Sequence, residues 1–310
     1  MTSQDSDSDT QLKTSATSQK RAHKELNSST EMHFTDPRGY KIQKISKMAR
    51  LIDEYTTLSK QKNLIWSTTE CDITEARQKI KAYKDRTGES ISFTAFLITV
   101  FARVVANHKN PMNAIRKKKK ELYIFEDVDV LTNIERKLPD GTKKPVNYTI
   151  RKAQTKTLKE ISAELREAQK SKEISATSGK QSSLMKKISK NIHKFPKFIR
   201  KIILNFLFSS PTFKKNSMGT VGVTAVGMFG SGLGHMIHLT PHTISLGVGG
   251  MDVLPFNVNG EIVNRDLIAL TIAMDHAIID GAPAARFFHD LRQMIMYFCH
   301  DAEWCFKSLE

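Results

Sequence analysis

The chain has 310 residues, 39% hydrophobic and 8% aromatic, enough apolar material for one large core or two modest ones. Lys and Arg outnumber Asp and Glu by 48 to 32, and the formal charge of +16 points to a polyanionic partner: nucleic acid, an anionic membrane surface or a phosphate-bearing substrate. Cysteine usage (Cys71, Cys299, Cys305, no CxxC) supports neither a disulfide framework nor a zinc ribbon, and no apolar run approaches the ~18 residues of a membrane span, so a cytoplasmic protein, soluble or peripheral, is expected.

Residues 1–35 are Ser, Thr, Asp, Lys and Gln with almost no large apolar side chains; they read as a disordered polar tail and not as a secretory signal. Ile42, Ile45, Met48, Leu51 and Ile52 then recur at three- and four-residue steps, the period of an amphipathic helix. "NLIWSTTECDI" predicts a strand, and "TEARQKIKAYKDRTG" a helix opened by Thr74 and stopped by Gly88. "SFTAFLITVFARVVANH" is apolar on most faces and predicts a buried helix. "RKKKK" at 116–120 reads as a solvated loop, or as a run that attracts the phosphates of coenzyme A. "ELYIFEDVDVLTNIERKLPDGTKKPVNYTIRKA" predicts two strands joined by a turn at Pro139-Asp140-Gly141, and "TLKEISAELREAQKSK" a helix with a polar outer face. Farther on, "MGTVGVTAVGMFG" and "HTISLGVGGMDVLPF" read as Gly-rich strands, and "EIVNRDLIALTIAMDHAIID" as two more. The closing helix runs from Gly281 through "GAPAARFFHDLRQMIMYFCHDAEWCF", with Pro283 in its first turn. Strands interleaved with helices predict one mixed α/β domain over 36–310.

An Asp, a His and an Asp-Gly end an apolar strand in "AMDHAIIDGAPAARFFHDL", a place where rigid structure holds a side chain that can still meet substrate. This segment resembles the active-site region of the acyltransferases of 2-oxoacid dehydrogenase complexes and of chloramphenicol acetyltransferase, whose shared signature is His, three residues, then Asp-Gly. "SFTAFLITVFARVVANHKNPMNA", "LPDGTKKPVNYTIRKAQTKTLKEISAELREA" and "MGTVGVTAVGMFGSG" are similar to further family segments in the same order, so the resemblance covers roughly residues 40–310. It implies a chloramphenicol acetyltransferase-like sandwich, a mixed β-sheet flanked by helices, assembled as a homotrimer with active sites between subunits. It implies acyl transfer from a thioester, with acyl-coenzyme A as co-substrate, no permanently bound cofactor and no metal. His276 would be the general base, the Thr224 hydroxyl the oxyanion donor, and Asp280 the aspartate that holds the loop by an ion pair, or else a helix N-cap. Gly281 would allow the turn into the helix.

The chain departs from those enzymes in three ways. A polar tail stands where they carry a lipoyl domain, so a stand-alone form without a lipoyl group is expected. Ala277 follows the histidine where Arg is common, and Ala225-Val226 replaces Asn-Leu, which leaves the acceptor open. A basic insertion at about 171–208 includes "SLMKKISKNIHKFPKFIRKIILNFLF" (183–208), whose cations face apolar residues at helical spacing. It reads either as an anchor on an anionic membrane surface or as a packed surface helix. His235, His238 and His242 lack the acidic or Cys pattern of a metal site, and no motif supports nucleic-acid binding. An inactive trimeric scaffold or membrane-associated binding protein is the alternative, though a scaffold has no need to retain His276, Asp280, Gly281 and Thr224 together.

Overall fold

A computed structural model describes residues 53, 56–57, 59–60, 62–117, 121–137, 143–171, 199, 209–226 and 232–310. Two compact units divide at Asp53/Glu54. The expected helix near 42–52, the Pro139-Asp140-Gly141 turn and all of 183–208 except Ile199 lie outside the described residues.

In the unit from Glu54, eight strands are described. β1 (Leu64–Asp72), β4 (Val130–Lys137), β5 (Lys143–Ile150), β6 (Val221–Ala225), β7 (Ile244–Val258) and β8 (Glu261–Asp275) form one mixed sheet in the order β1-β8-β7-β6-β4-β5. β6 runs parallel to both neighbours and the other pairs are antiparallel. β2 (Ala114–Lys117) and β3 (Glu121–Ile124) make a separate hairpin. The longer helices are α1 (Thr74–Thr87), α2 (Phe93–Asn107), α3 (Leu158–Lys170), α4 (Pro211–Met218) and α5 (Gly281–Gln293). The mixed sheet with helices is the expected fold class.

Local chemistry explains the boundaries. Gly88 ends α1 in the left-handed region at φ 74°, where a Cβ is unfavourable. Ser92 opens α2 by accepting the Ala95 N–H, and Thr157 and Glu160 close a reciprocal capping box on α3. α2 is the centre of the core, as its all-round apolar sequence predicts: Phe96, Phe101, Leu97 and Ile98 are fully buried. Phe101 meets Phe287 of α5 edge-on at 6.0 Å, and His108, just past α2, reaches Asp290 at 2.6 Å. These contacts fix α5 and the turn that precedes it, and losing one such buried Phe side chain costs ~3–5 kcal/mol.

Four expectations are corrected. "EIVNRDLIALTIAMD" is one strand, because its polar Asn264-Arg265-Asp266 lies on a hairpin arm paired with Leu254 and its neighbours, where exposure tolerates polar side chains. The region 121–150 carries three strands, since Glu121–Ile124 pairs back onto Ala114–Lys117, which also places Arg116 and Lys117 in a strand. α5 does not run to the end: it passes through a π turn at Met294–Phe298. That turn brings the Cα atoms of Cys299 and Cys305 to 5.9 Å, within disulfide range, and they are bonded. Cysteine usage therefore no longer argues for a reducing compartment.

Candidate active site

β8 ends at Asp275, and the chain turns through His276, Ala277 and Ile278 to Asp280 at the head of α5. Two elements anchor this turn to the sheet. The Asp275 N–H donates to Thr243 O at 2.9 Å, and the His276 N–H donates to Asn63 O at 2.7 Å, at the start of β1. Asp275 itself is 1% exposed. Its Oδ2 accepts from Lys62 Nζ at 2.9 Å and its Oδ1 from the Ala277 N–H at 3.2 Å, while its carbonyl receives the Ile278 and Ile279 amides. Burial outweighs the attraction of Asp275 and holds Lys62 below the usual ammonium range.

The His276 ring is exposed, and its Nδ1 lies 3.0 Å from Ile279 O. A carbonyl only accepts, so Nδ1 carries the proton and Nε2 is left with a free lone pair. The arrangement suits a general base: a fixed tautomer, a fixed ring and an accessible nitrogen.

Thr224 lies elsewhere in the sheet, half-buried on β6. It pairs with Gly247 of β7, which pairs with Thr271 of β8. His276 is five residues beyond Thr271, so the two groups are about 17 Å apart along the strands and about 10 Å across them, roughly 20 Å in all. Within one chain the hydroxyl and the imidazole are not brought together.

Asp280 occupies the N-cap position of α5 but makes no side-chain cap hydrogen bond, and among the described residues it has no salt bridge. The carboxylate that ties down the turn is Asp275, which sequence reasoning passed over; its only signal was a charged residue inside an apolar strand. Gly281 is not required for the turn. Its φ lies outside the left-handed region, and a Cβ there would meet nothing within 4 Å.

Beside Thr224, residues 238–242 together with β6 and the start of β7 line a half-open cavity of about 190 Å³. His242 is buried there. Its Nε2–H donates to Met218 O at 2.9 Å and its Nδ1 accepts from Thr240 Oγ1 at 3.2 Å, which fixes the neutral ring. Burial first, then the cations Lys62 and Lys214, push it down to about 4. His238 Nε2 lies 2.7 Å from Ser245 Oγ, and burial lowers this ring as well. Exposed His235 reaches Thr69 O at 3.3 Å, so the three histidines serve separate contacts. Among the described residues no group of three His, Cys, Asp or Glu is placed to hold a metal.

Residues 37–183 and 189–299 match the family described as 2-oxoacid dehydrogenases acyltransferase (catalytic domain). Over 84 residues the chain is 34% identical to the dihydrolipoyllysine-residue succinyltransferase component of the mitochondrial 2-oxoglutarate dehydrogenase complex of Saccharomyces cerevisiae, 27% of this chain and 18% of that one. Over 48 residues it is 46% identical to the dihydrolipoyllysine-residue acetyltransferase component of the pyruvate dehydrogenase complex of Mycoplasma capricolum, 16% of this chain and 11% of that one. The matched stretches thus span under a fifth of these curated relatives. Among solved structures, a probable dihydrolipoamide acetyltransferase from Listeria monocytogenes superposes with a TM-score of 0.59 at 20% identity, covering 83% of this chain and 95% of that one. A truncated catalytic core of the 2-oxoacid dehydrogenase complex from Thermoplasma acidophilum gives 0.55 at 22%, covering 83% and 98%.

Proposed function

Because the chain belongs to the family of 2-oxoacid dehydrogenase acyltransferase catalytic domains, we propose that it moves an acyl group from a thioester, acyl-coenzyme A, to a nucleophilic acceptor. The observation that carries this is the His276 ring, its Nδ1–H spent on Ile279 O and its Nε2 free at the surface. Nε2 takes the proton from the attacking thiol, hydroxyl or amine as it adds to the carbonyl carbon. The tetrahedral oxyanion accepts a hydrogen bond from a Thr224 hydroxyl. The imidazolium then returns its proton to the departing thiolate of coenzyme A, and the acylated acceptor leaves. No acyl-enzyme and no permanently bound cofactor enters this sequence. Asp280 heads α5, where its charge favours the helix N-terminus.

The stagger of about 20 Å gives the reaction its second requirement. The hydroxyl must come from another copy of the chain, and a homotrimer with one site at each interface meets that need. The curated relatives are named for dihydrolipoyllysine residues, which makes a dithiol carried by a partner the first acceptor to test. In this reading the catalytic domain spans 36–310 and works in the cytoplasm. Its basic segment 183–208 serves as a peripheral contact with anionic membranes, and unchanged liposome co-sedimentation after deletion of 183–208 would remove that last part.

The test uses two defective variants. His276→Ala and Thr224→Ala are purified singly and also co-expressed in equal amounts. Thiol release from acetyl-coenzyme A should be lost in His276→Ala and fall ~100-fold or more in Thr224→Ala. Random co-assembly should return about a quarter of wild-type activity, since one interface in four pairs an intact imidazole with an intact hydroxyl. Failure to recover any activity from mixed assemblies rules out the shared site.

A further inference from the structure

The cavity beside Thr224 is the part of the molecule whose chemistry says most about the substrate. Two glycines on adjacent strands shape it. A Cβ on Gly222 of β6 would lie 2.9 Å from His242 Nδ1, and one on Gly247 of β7 would lie 2.7 Å from His238 Nδ1. Both imidazoles therefore sit in notches that any side chain would fill. Buried Ser245 also lines the cavity, and exposed Asn133 and Asn147, directly opposite each other on β4 and β5, line it as well. Ser245 gives one hydrogen bond's worth of its hydroxyl to His238 and keeps capacity for more. Among the described residues the buried His238 Nδ1 has no hydrogen-bond partner.

Among the described residues no Lys, Arg, Asp or Glu lines the cavity. The cations that act on His242, Lys62 and Lys214, stand outside the lining. Its polar groups are hydroxyls, amides and neutral imidazoles, set among the apolar Leu131, Val223, Leu239 and Pro241. At about 190 Å³, it has room for about six water-sized groups.

We propose that this cavity selects a small, uncharged, hydrogen-bonding group attached to the reacting carbonyl or to its attacker. The proposal rests on the acyl-transfer reading only in placing Thr224 at the reacting carbon. A long alkyl chain laid in the cavity would strip its hydroxyls and amides of hydrogen bonds. A carboxylate would enter with no cation in the described lining to pair with, since Lys62 and Lys214 act only from outside it, at a cost that hydroxyls and amides only partly offset. A hydroxyacyl group or an amide-bearing thiol satisfies both limits, and these two sources share one chemistry.

The experiment has a kinetic arm and a binding arm, both on the full chain. In the kinetic arm, acetyl-, glycolyl-, succinyl- and palmitoyl-coenzyme A are compared with N-acetylcysteamine and butanethiol as acceptors. Wild type should favour glycolyl over succinyl and palmitoyl by about tenfold or more if the acyl group fills the cavity, or N-acetylcysteamine over butanethiol if the acceptor does. Ser245→Ala and, independently, Asn147→Leu should lower whichever preference exists about tenfold. Preference for palmitoyl or succinyl, or preferences that neither variant moves, overturns the proposal. In the binding arm, glycolamide and succinate are titrated while the 15N imidazole resonances of His238 and His242 are followed. Shifts with glycolamide and none with succinate support the proposal; no shift with glycolamide overturns it. If wild type and His276→Ala release thiol at equal rates, the acyl-transfer reading fails while the binding arm still decides the cavity's chemistry.

Discussion

Replacing Asp275 by Asn isolates the ion pair that seats the His276 turn, because the amide oxygen can still accept the Ala277 N–H while the charge disappears. Asp275 is 1% exposed and the Lys62 side chain 16%. Removing one partner of a buried pair costs ~3–5 kcal/mol, since the other charge is left without compensation. Lys62 is already drawn toward its neutral form by burial, so the lower end applies, about 3 kcal/mol. For a domain of this size each kcal/mol moves the midpoint by ~2–4 °C, so Asp275→Asn should melt ~6–12 °C lower. Activity should fall by more than stability implies: a displacement of ~1 Å of a reacting group costs as much as ~100-fold, and the His276 amide is tied to Asn63, one residue from Lys62. Thermal unfolding of Asp275→Asn, Lys62→Met and the double variant gives the coupling directly. The double variant should lose less than the sum by about 2 kcal/mol, because neither buried charge is then stranded. Additivity within ~0.5 kcal/mol would refute the claim that these side chains act as a pair.

His242 makes folding acid-sensitive. Its folded pKa of about 4 lies below the ordinary 6.5, so the unfolded chain binds the extra proton between those values, and stability present above pH 6.5 is lost as pH falls toward 4, by roughly 3 kcal/mol. Thermal scans across that range should show the fall, and His242→Gln should flatten it; an unchanged slope would acquit the ring. Lys214 acts at the other end: burial and the neighbouring cations pull it down to about 8 from 10.5, so the folded state sheds its proton first and stability rises with pH between those values. Lys214→Met should therefore raise the melting temperature at pH 7 and lose that advantage by about pH 10. Burial pushes the Cys71 thiol up to about 12, and Cys299 and Cys305 are paired. Native protein should take up no maleimide, while unfolding without reductant should expose one thiol per chain; labelling of two or three would contradict the pairing.

What the sequence made legible was local. The all-round apolar run of α2 and the left-handed Gly88 each depend on residues within one or two turns, and each is where the pattern puts it, whereas Thr74, expected to cap α1, is its first helical residue, with Ile73 at the cap position and no side-chain cap hydrogen bond. The same holds for His276 at the end of β8, since an apolar run followed by Asp-Gly states both the strand and its stop. Long-range pairings were not written in any window. Lys62 and Asp275 lie 213 positions apart, so nothing near either residue marks the other. Gly249 and Gly250 read only as part of a Gly-rich strand; added Cβ atoms there would collide with the Gly234 and Gly232 carbonyls across the bulge between Val248 and Met251.

The spacing of Thr224 and His276, the two groups proposed to react, belongs to the second kind. Residue types alone name a base and a hydroxyl, and those names carry no distance. Their separation is set by register: Thr224 to Gly247, Gly247 to Thr271, then five residues to His276. Shifting β6 along β7 by the five residues needed to close the gap would turn its side chains to the opposite face, because five is odd and strand faces alternate with period two. That inversion would carry Val221 and Val223, both buried in the core, to the other face, so the register that separates Thr224 from His276 is held by the packing of β6 itself.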